Sequence, residues 1–222
     1  MPAVSQPAAP AVAAQLAATF CLLLALVAAP LVAAPSAAAA EPAPPTAAEP
    51  PPPAAPEKAP LVDLDGRPAD PLADGAVATV FLFVRSDCPI SNRYAPEMRR
   101  LWEELSPHGV AFYLVYPDPE EDAATIGASV ADFAFPFPAL RDPAHRMVAR
   151  TGATVTPEAA VFDAAGTMVY RGRIDDRWAG LGRPRPEPSR RDLAEVLAAL
   201  IAGESVEPRT TKAVGCYIPE LE

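Results

Sequence analysis

The chain has 222 residues and a formal net charge of −10. All 18 Lys and Arg residues lie at or after Lys58, and the same part of the chain carries 25 Asp and Glu residues. This acidic balance argues against nucleic-acid binding, which requires a basic surface to neutralise phosphates. Of the 30 prolines, 14 lie within the first 60 positions. An Ala/Pro-rich leader therefore precedes a charged domain long enough to form its own core.

The first 40 residues are typical of a signal peptide or a membrane anchor. Residues 11–29 form a nearly unbroken apolar run that ends at Pro30, and Ala38-Ala39-Ala40 before Glu41 is similar to a cleavage site. The alternative is an uncleaved tether, because the run is just long enough to span a membrane. Both readings predict an exported domain, either periplasmic or anchored to the membrane on its extracytoplasmic side.

Three further segments follow the leader. Residues 41–60 contain nine prolines in twenty positions, which predicts a disordered, semi-rigid Ala/Pro-rich linker. Residues 61–203 have the patterning of one folded domain. Residues 204–222 show no clear hydrophobic period, and we interpret them as a C-terminal tail.

The folded domain alternates strand and helix patterns. Two apolar runs, 77–85 (VATVFLFVR) and 110–116 (VAFYLVY), are typical of strands buried on both faces. In chain order we also expect a strand in 61–66, helices at 91–105 and 120–133, a strand at 137–140, a helix at 143–151, a hairpin of 158–163 with 167–173, and a helix at 189–202 capped by Ser189. This order predicts an α/β fold, with a central mixed sheet and helices on both faces.

The most informative side chain is Cys88, at the junction of a buried strand and a helix. Backbone N–H groups and the helix dipole at this position favour a thiolate, the reactive form of cysteine. Pro89 suits the first helical turn, and Arg93 adds positive potential. The polar Ser86-Asp87 pair before the cysteine favours an accessible sulfur.

The order of these motifs resembles the thioredoxin superfamily. The strand, Cys88-Pro89-Ile90-Ser91, and Pro96 within the helix are similar to its active-site helix, and Val155-Thr156-Pro157-Glu158 resembles its cis-proline loop. The extra segment between the two motifs is similar to the redoxin branch, meaning the AhpC/TSA-like and TlpA-like exported proteins. The resemblance implies a thioredoxin-like fold in which a cis Pro157 faces Cys88 and the Thr156 backbone docks substrate.

Ser91 replaces the second cysteine of the usual dithiol motif, so another thiol must resolve a mixed disulfide. Cys216, in the tail and 128 positions beyond Cys88, is the candidate. A static structural bridge, or a tail thiol that never meets Cys88, are the alternatives. The two histidines and the remaining cysteines lack metal-ligand spacing, so we expect neither a metal nor a cofactor.

These features predict an exported thiol–disulfide oxidoreductase. Cys88, Cys216 and Pro157 are the candidate catalytic residues, and Thr156, Pro89 and Arg93 are candidates for substrate binding. The expected partners are a protein or small-molecule thiol or disulfide and an external thiol reductant. A peroxiredoxin-like thiol peroxidase and a non-catalytic thioredoxin-fold binding module are the alternative functions.

Overall fold

A computed structural model describes residues 61–73 and 75–221. The predicted signal peptide or anchor (1–40), including the possible tether at 11–29, and the predicted linker (41–60) lie outside these described residues. None of the helices in the described part is long and apolar enough to cross a membrane.

Nine strands and four helices form the described part of the chain. The strands are β1 (Val62–Asp63), β2 (Ala78–Phe83), β3 (Val110–Tyr116), β4 (Ala139–Arg141), β5 (Val155–Thr156), β6 (Glu158–Asp163), β7 (Met168–Gly172), β8 (Arg209–Thr210) and β9 (Cys216–Tyr217). The helices are α1 (Pro89–Leu105), α2 (Ala123–Asp132), α3 (Arg146–Thr151) and α4 (Asp192–Ile201).

Seven strands form one mixed sheet in the order β1-β4-β3-β2-β6-β7-β8. Strand β2 lies at its centre, parallel to β3 and antiparallel to β6. The α/β fold with a mixed central sheet is therefore confirmed. The predicted hairpin, β6 with β7, lies inside the sheet rather than at its edge, because β8 pairs in parallel with β7.

Apolar side chains on the two faces of β2 explain why it is central. Val80 and Leu82 belong to one buried cluster, to which α1, α2 and α4 contribute, and Phe81 and Phe83 belong to a second cluster, to which α3 contributes Met147. The four β2 side chains are fully buried. Burying each of them contributes about 1.5–3 kcal/mol, so the core itself fixes the strand that leads to Cys88.

Helix α1 begins two residues before the predicted start, because Cys88 serves as its N-cap and Pro89 occupies the first turn. Proline fits there because the first N–H groups of a helix have no partner within it. Pro96 lies within the helix on an exposed position, where the neighbouring carbonyl can be hydrated.

Three other helix starts differ from the prediction, each because of a side chain. Helix α2 begins only after Asp122, whose carboxylate accepts the Thr125 N–H at 2.7 Å. Asp142 accepts three N–H groups at the start of α3, from Arg146 at 2.6 Å, Met147 at 2.8 Å and Val148 at 3.0 Å. The predicted cap of α4 was wrong: Ser189 hydrogen-bonds to Asp176 and the helix begins at Asp192.

The C-terminal residues, predicted to be a tail without regular structure, contain β8 and β9. Strand β9 pairs antiparallel with β5 in a separate two-stranded sheet, with Val155 opposite Tyr217 and Thr156 opposite Cys216. Two-residue strands carry no hydrophobic period, which explains why the pattern did not reveal them.

Candidate active site

Cys88 lies at the N-terminus of α1, immediately after the turn that follows β2. Its backbone is extended, with φ −81° and ψ 111°, and its sulfur accepts the Ser91 N–H at 3.5 Å. The N-cap position aims the positive end of the helix at the sulfur. The side chain at position 88 is therefore held where a negative charge is stabilised.

The cis-proline loop lies directly against this sulfur. The Thr156–Pro157 peptide bond is cis, as the resemblance implies, and the Cys88 thiol donates to the Thr156 carbonyl oxygen at 3.0 Å. Two segments that are 68 positions apart in the sequence thus meet at one atom.

The third group at the site is Cys216, which the C-terminal strand brings to Cys88. We call residues 211–218 the strap. The strap runs alongside β5, Thr156 lies opposite Cys216, and the Cys216 thiol lies close enough to Cys88 to lower the pKa of Cys88. Both cysteines are free thiols in the structure.

The strap is attached at both of its ends. At one end the Thr211 N–H donates to the Arg171 carbonyl at 2.9 Å, and the Thr211 hydroxyl hydrogen-bonds to Tyr170 at 2.6 Å. At the other end the Ile218 N–H donates to the Thr154 carbonyl at 3.0 Å, and the Ile218 side chain is buried. Lys212, between the two attachments, is exposed to solvent.

Gly215 allows the strap to approach the cis-proline loop closely. A Cβ atom at this position would lie 2.1 Å from the Thr156 carbonyl oxygen and 3.1 Å from the Pro157 nitrogen. Real Cβ atoms do not approach backbone atoms to 2.1 Å, so only glycine fits here while the strap is closed. Gly215 is not among the residues predicted from the sequence, although its position next to a tail cysteine was a signal.

Cys88 has no exposed surface, so the prediction of an accessible sulfur was wrong. The polar residues before it do point outward, and the Asp87 side chain is 67% exposed. The sulfur itself turns inward, onto the Thr156 carbonyl and Cys216. Cys216 is half-buried and is the more accessible of the two thiols.

The surroundings of the two thiols shift their pKa values in opposite directions. Burial opposes ionisation of Cys88, but the side chains of Cys216, Ser91 and Thr156, together with the Ser91 N–H, outweigh it and hold the pKa of Cys88 below its usual value. Burial, together with the hydrogen bond to Cys88, raises the pKa of Cys216 to about 11. Of the two thiols, Cys88 is therefore the one that ionises more readily.

Charged residues surround the turn before Cys88. Arg85 forms ion pairs with Asp87 and with the buried Asp118, both at 3.0 Å. Glu121 accepts the Ser86 N–H at 2.8 Å. Burial raises the pKa of Glu121, against the hydrogen bonds from Ser86 that lower it. These contacts fix the turn. Glu121 could not be predicted from the sequence, because it lies 35 positions from Ser86.

Pro89 and Arg93, the two other predicted substrate contacts, lie on the exposed side of α1. The Arg93 guanidinium stacks over the Trp178 ring at 5.8 Å, which ties the helix to the loop after β7. The structure brings together Cys88, Thr156 and Cys216, while Arg93 contacts Trp178.

Glu158, directly after Pro157, supports β5 from behind. Its buried carboxylate accepts the N–H groups of Thr154 at 2.8 Å and Val155 at 3.3 Å, and Arg171 lies 3.9 Å away. A buried carboxylate with these partners holds the strand that receives the strap. Within 61–73 and 75–221, no group of three or more His, Cys, Asp or Glu side chains could hold a metal ion.

The fold is similar to several solved structures. A hypothetical protein from Sinorhizobium meliloti matches with a TM-score of 0.60 and 24% identity, over 71% of this chain and 88% of the other. An uncharacterized conserved protein from Geobacillus kaustophilus matches with a TM-score of 0.60 and 26% identity, over 74% and 91%. A secreted disulfide oxidoreductase from Mycobacterium tuberculosis matches with a TM-score of 0.44 and 19% identity, over 64% and 93%.

No curated protein matches the sequence of this chain. A family model does: residues 62–171 match the AhpC/TSA family. The matched residues include β2, the helix that begins at Cys88, and the cis-proline loop. With its thioredoxin-like fold, the chain therefore belongs to the AhpC/TSA redoxin family.

Proposed function

We propose that this protein carries out thiol–disulfide exchange through Cys88, with Cys216 as the resolving thiol. One observation supports this most strongly: the Cys88 thiol donates to the carbonyl before cis-Pro157, and it lies close enough to the Cys216 thiol that each shifts the pKa of the other. A buried structural cysteine would need neither a helix N-cap position nor a second thiol beside it.

The exchange has two steps. The Cys88 thiolate attacks one sulfur of a substrate disulfide, forming a mixed disulfide and releasing the first substrate thiolate. Cys216, after losing its proton, then attacks the Cys88 sulfur, which forms the Cys88–Cys216 disulfide and releases the second substrate thiolate. The substrate gains two electrons and the two cysteines lose two.

The burial of Cys88 affects large and small substrates differently. Because the closed strap leaves Cys88 without exposed surface, exchange with a protein disulfide includes a step in which the strap leaves β5. The Thr156 backbone is then free to pair with an extended substrate. Pro89 and Arg93, on the exposed side of α1, flank the opening as further substrate contacts.

The burial of Cys88 also favours a second candidate, a thiol peroxidase, since a peroxide is smaller than a protein disulfide. The Cys88 thiolate attacks a peroxide oxygen, giving a sulfenic acid and an alcohol or water. Cys216 then displaces water from the sulfenic acid and forms the same disulfide. Membership of the AhpC/TSA family is consistent with both activities. The two differ in the molecule that oxidises Cys88, a disulfide or a peroxide.

We further propose that the domain is exported, supported by the apolar run at 11–29 and the Ala-rich site before Glu41. The linker at 41–60 then separates the domain from the cleavage site or from a membrane tether. The tail beyond 203 belongs to the functional unit, because it contains Cys216.

Mass mapping of the oxidised full chain tests the central proposal. We expect a linked Cys88–Cys216 peptide, loss of peptide-disulfide reduction in Cys88→Ser, and an accumulating mixed disulfide on Cys88 in Cys216→Ser. The matched control is Cys21→Ala, which changes a third cysteine and is expected to leave all three results unchanged. Full activity in Cys88→Ser would refute the proposal.

The same variants separate the two candidates. Rapid peroxide consumption with a trapped sulfenic acid on Cys88 in Cys216→Ser supports the peroxidase. Slow peroxide consumption with rapid reduction of the disulfide peptide supports the oxidoreductase. A protein in which neither substrate reacts, and in which the two cysteines never link, would be the non-catalytic binding module.

A further inference from the structure

A basic pocket lies beside the strap. Its volume is 440 Å³, within the usual range of small-molecule sites, and it lies between the strap and the loop after β7. Four cationic side chains line it and no acidic one does: Arg173, Arg183, Arg185 and Lys212. A pocket without acidic residues is unexpected on a chain whose net charge is −10.

Two of the four cations are free to bind an anion. Arg173 donates to Asp192 at 2.7 Å, and Arg185 is paired with Asp176. Arg183 and Lys212 form no ion pair within the described residues, and both are exposed. The Arg183 guanidinium reaches over Gly180, where a Cβ atom would lie 3.0 Å from it. The pocket therefore keeps the net positive charge of two side chains.

The pocket adjoins the part of the strap that carries Cys216, although neither cysteine lines it. Gly215 and Tyr217, the neighbours of Cys216 on both sides, line the pocket, as does Val155 of β5. Cys216 is half-buried, whereas Cys88 has no exposed surface. In a disulfide between them, Cys216 is therefore the more exposed of the two residues.

The chemistry of exchange favours the same direction of attack. Attack on Cys216 expels the Cys88 thiolate, and the thiol with the lower pKa is the better leaving group. The pKa of Cys88 is lowered and that of Cys216 is raised to about 11. A reductant that attacks Cys216 thus meets the more exposed cysteine and expels the better leaving group.

The remaining lining is apolar and suits a short carbon chain. Trp178 lines the pocket together with Leu181 and Tyr217, which are 68% and 79% exposed. A ligand with an anionic end and a short aliphatic body would contact both parts of this lining.

We propose that the pocket binds a low-molecular-weight thiol bearing carboxylates, which reduces the Cys88–Cys216 disulfide by attacking Cys216. This inference rests on the proposed function and identifies the class of its reductant. One thiolate forms a mixed disulfide with Cys216 and releases the Cys88 thiolate. A second thiolate attacks the ligand sulfur of that mixed disulfide, giving the oxidised ligand and the Cys216 thiol after protonation. Two thiols lose two electrons in total, and the protein disulfide gains them.

The test compares thiols of different charge as reductants of the oxidised full chain. Mercaptosuccinate, 2-mercaptoethanol and cysteamine are anionic, neutral and cationic. The rate constant for reduction of the protein disulfide is measured by acid quenching, alkylation and intact mass. It is divided by the rate constant with which the same thiol reduces bis(2-hydroxyethyl) disulfide, which corrects for the intrinsic reactivity of that thiol. We expect the normalised rate to be highest for mercaptosuccinate, and its advantage to fall as the salt concentration rises.

Charge-removing variants locate the effect. Arg183→Gln and Lys212→Gln are each expected to slow reduction by mercaptosuccinate by up to about fivefold, with little effect on 2-mercaptoethanol. The matched control is Arg190→Gln, which removes one positive charge outside the pocket and is expected to leave the ratio of the two rates unchanged. Equal normalised rates for all three thiols, or equal effects of all three variants, would overturn the inference.

Two further measurements separate this inference from the proposed function. Succinate, which has no thiol, is expected to bind the reduced chain in calorimetry and to lose affinity in the Arg183→Gln, Lys212→Gln double variant; absence of binding overturns the pocket assignment. If the disulfide forms normally but anionic thiols do not reduce it faster, the pocket assignment is wrong and the proposed function stands. If no disulfide forms, the proposed function itself is wrong. Faster reduction by an acidic cysteine peptide than by mercaptosuccinate would overturn the small-molecule assignment.

Discussion

Gly215→Ala is expected to open the strap without unfolding the domain. The added Cβ would lie 2.1 Å from the Thr156 carbonyl oxygen, whereas ordinary van der Waals contact begins at 3.4 Å. The strap must therefore move by about 1 Å or more, since β5 is held by Glu158 from behind. Overpacking of this kind costs about 1–3 kcal/mol. That cost corresponds to an increase of about 5- to 150-fold in the ratio of open to closed strap.

The assay is the alkylation of Cys88 in the reduced full chain, followed by peptide mass mapping that separates it from the other cysteines. Because Cys88 is inaccessible in the closed form, its alkylation rate follows the open population. We expect an increase of the same size as the shift in that population. The matched control is Gly127→Ala, where a Cβ meets nothing within 4 Å. An unchanged rate at Cys88 in a folded Gly215→Ala variant would refute the reasoning that the strap shields this sulfur.

Three further substitutions test the electrostatics of the site and its surroundings. Cys216→Ala removes a hydrogen bond to Cys88, so the pKa of Cys88 is expected to rise in the pH profile of alkylation, while Cys216→Ser keeps a donor and changes it less; equal profiles would contradict this. Tyr94→Phe removes the 2.5 Å hydrogen bond to the buried Asp175, and we expect thermal unfolding to show a loss of about 1–3 kcal/mol; an unchanged midpoint would contradict it. The hydrogen bonds of Asp176 lower its pKa to about 2. Its contribution to the free energy of unfolding is therefore fully present above the pKa of the unfolded chain, near 4, and is lost as the pH falls through the folded value. Asp176→Asn is expected to abolish this part of the pH dependence of stability in acid, and a profile identical to that of the unsubstituted chain would contradict it.

The sequence predicted those parts of the fold that rest on hydrophobic pattern. Strand β3 has the predicted bounds, and β2 lies within the predicted run, because both consist of side chains buried on both faces. Helix starts were predicted less well, because they depend on which nearby side chain accepts the first N–H groups. Asp142 caps α3, whereas the side chain of Ser189 turned instead to Asp176.

The candidate site was predictable where it depends on local order in the chain. The strand-to-helix junction identified Cys88, and the resemblance to a cis-proline loop identified Pro157. The burial of Cys88 was not predictable from its neighbours, since it depends on a strap that joins the site from 128 positions away. Gly215 could not be predicted for the same reason, because its close contact with Thr156 joins two backbone segments that are distant in the sequence.

The great separation of Cys88 and Cys216 along the chain has a consequence for the oxidised protein. A bond between neighbouring cysteines of one helix closes only a small ring, whereas a bond from Cys88 to Cys216 would encircle most of the domain. By loop-closure entropy, a ring of this size disfavours the denatured chain by about 5 kcal/mol. Oxidation and reduction would therefore also set how strongly the whole domain resists heat and proteases, so that its lifetime would follow its redox state.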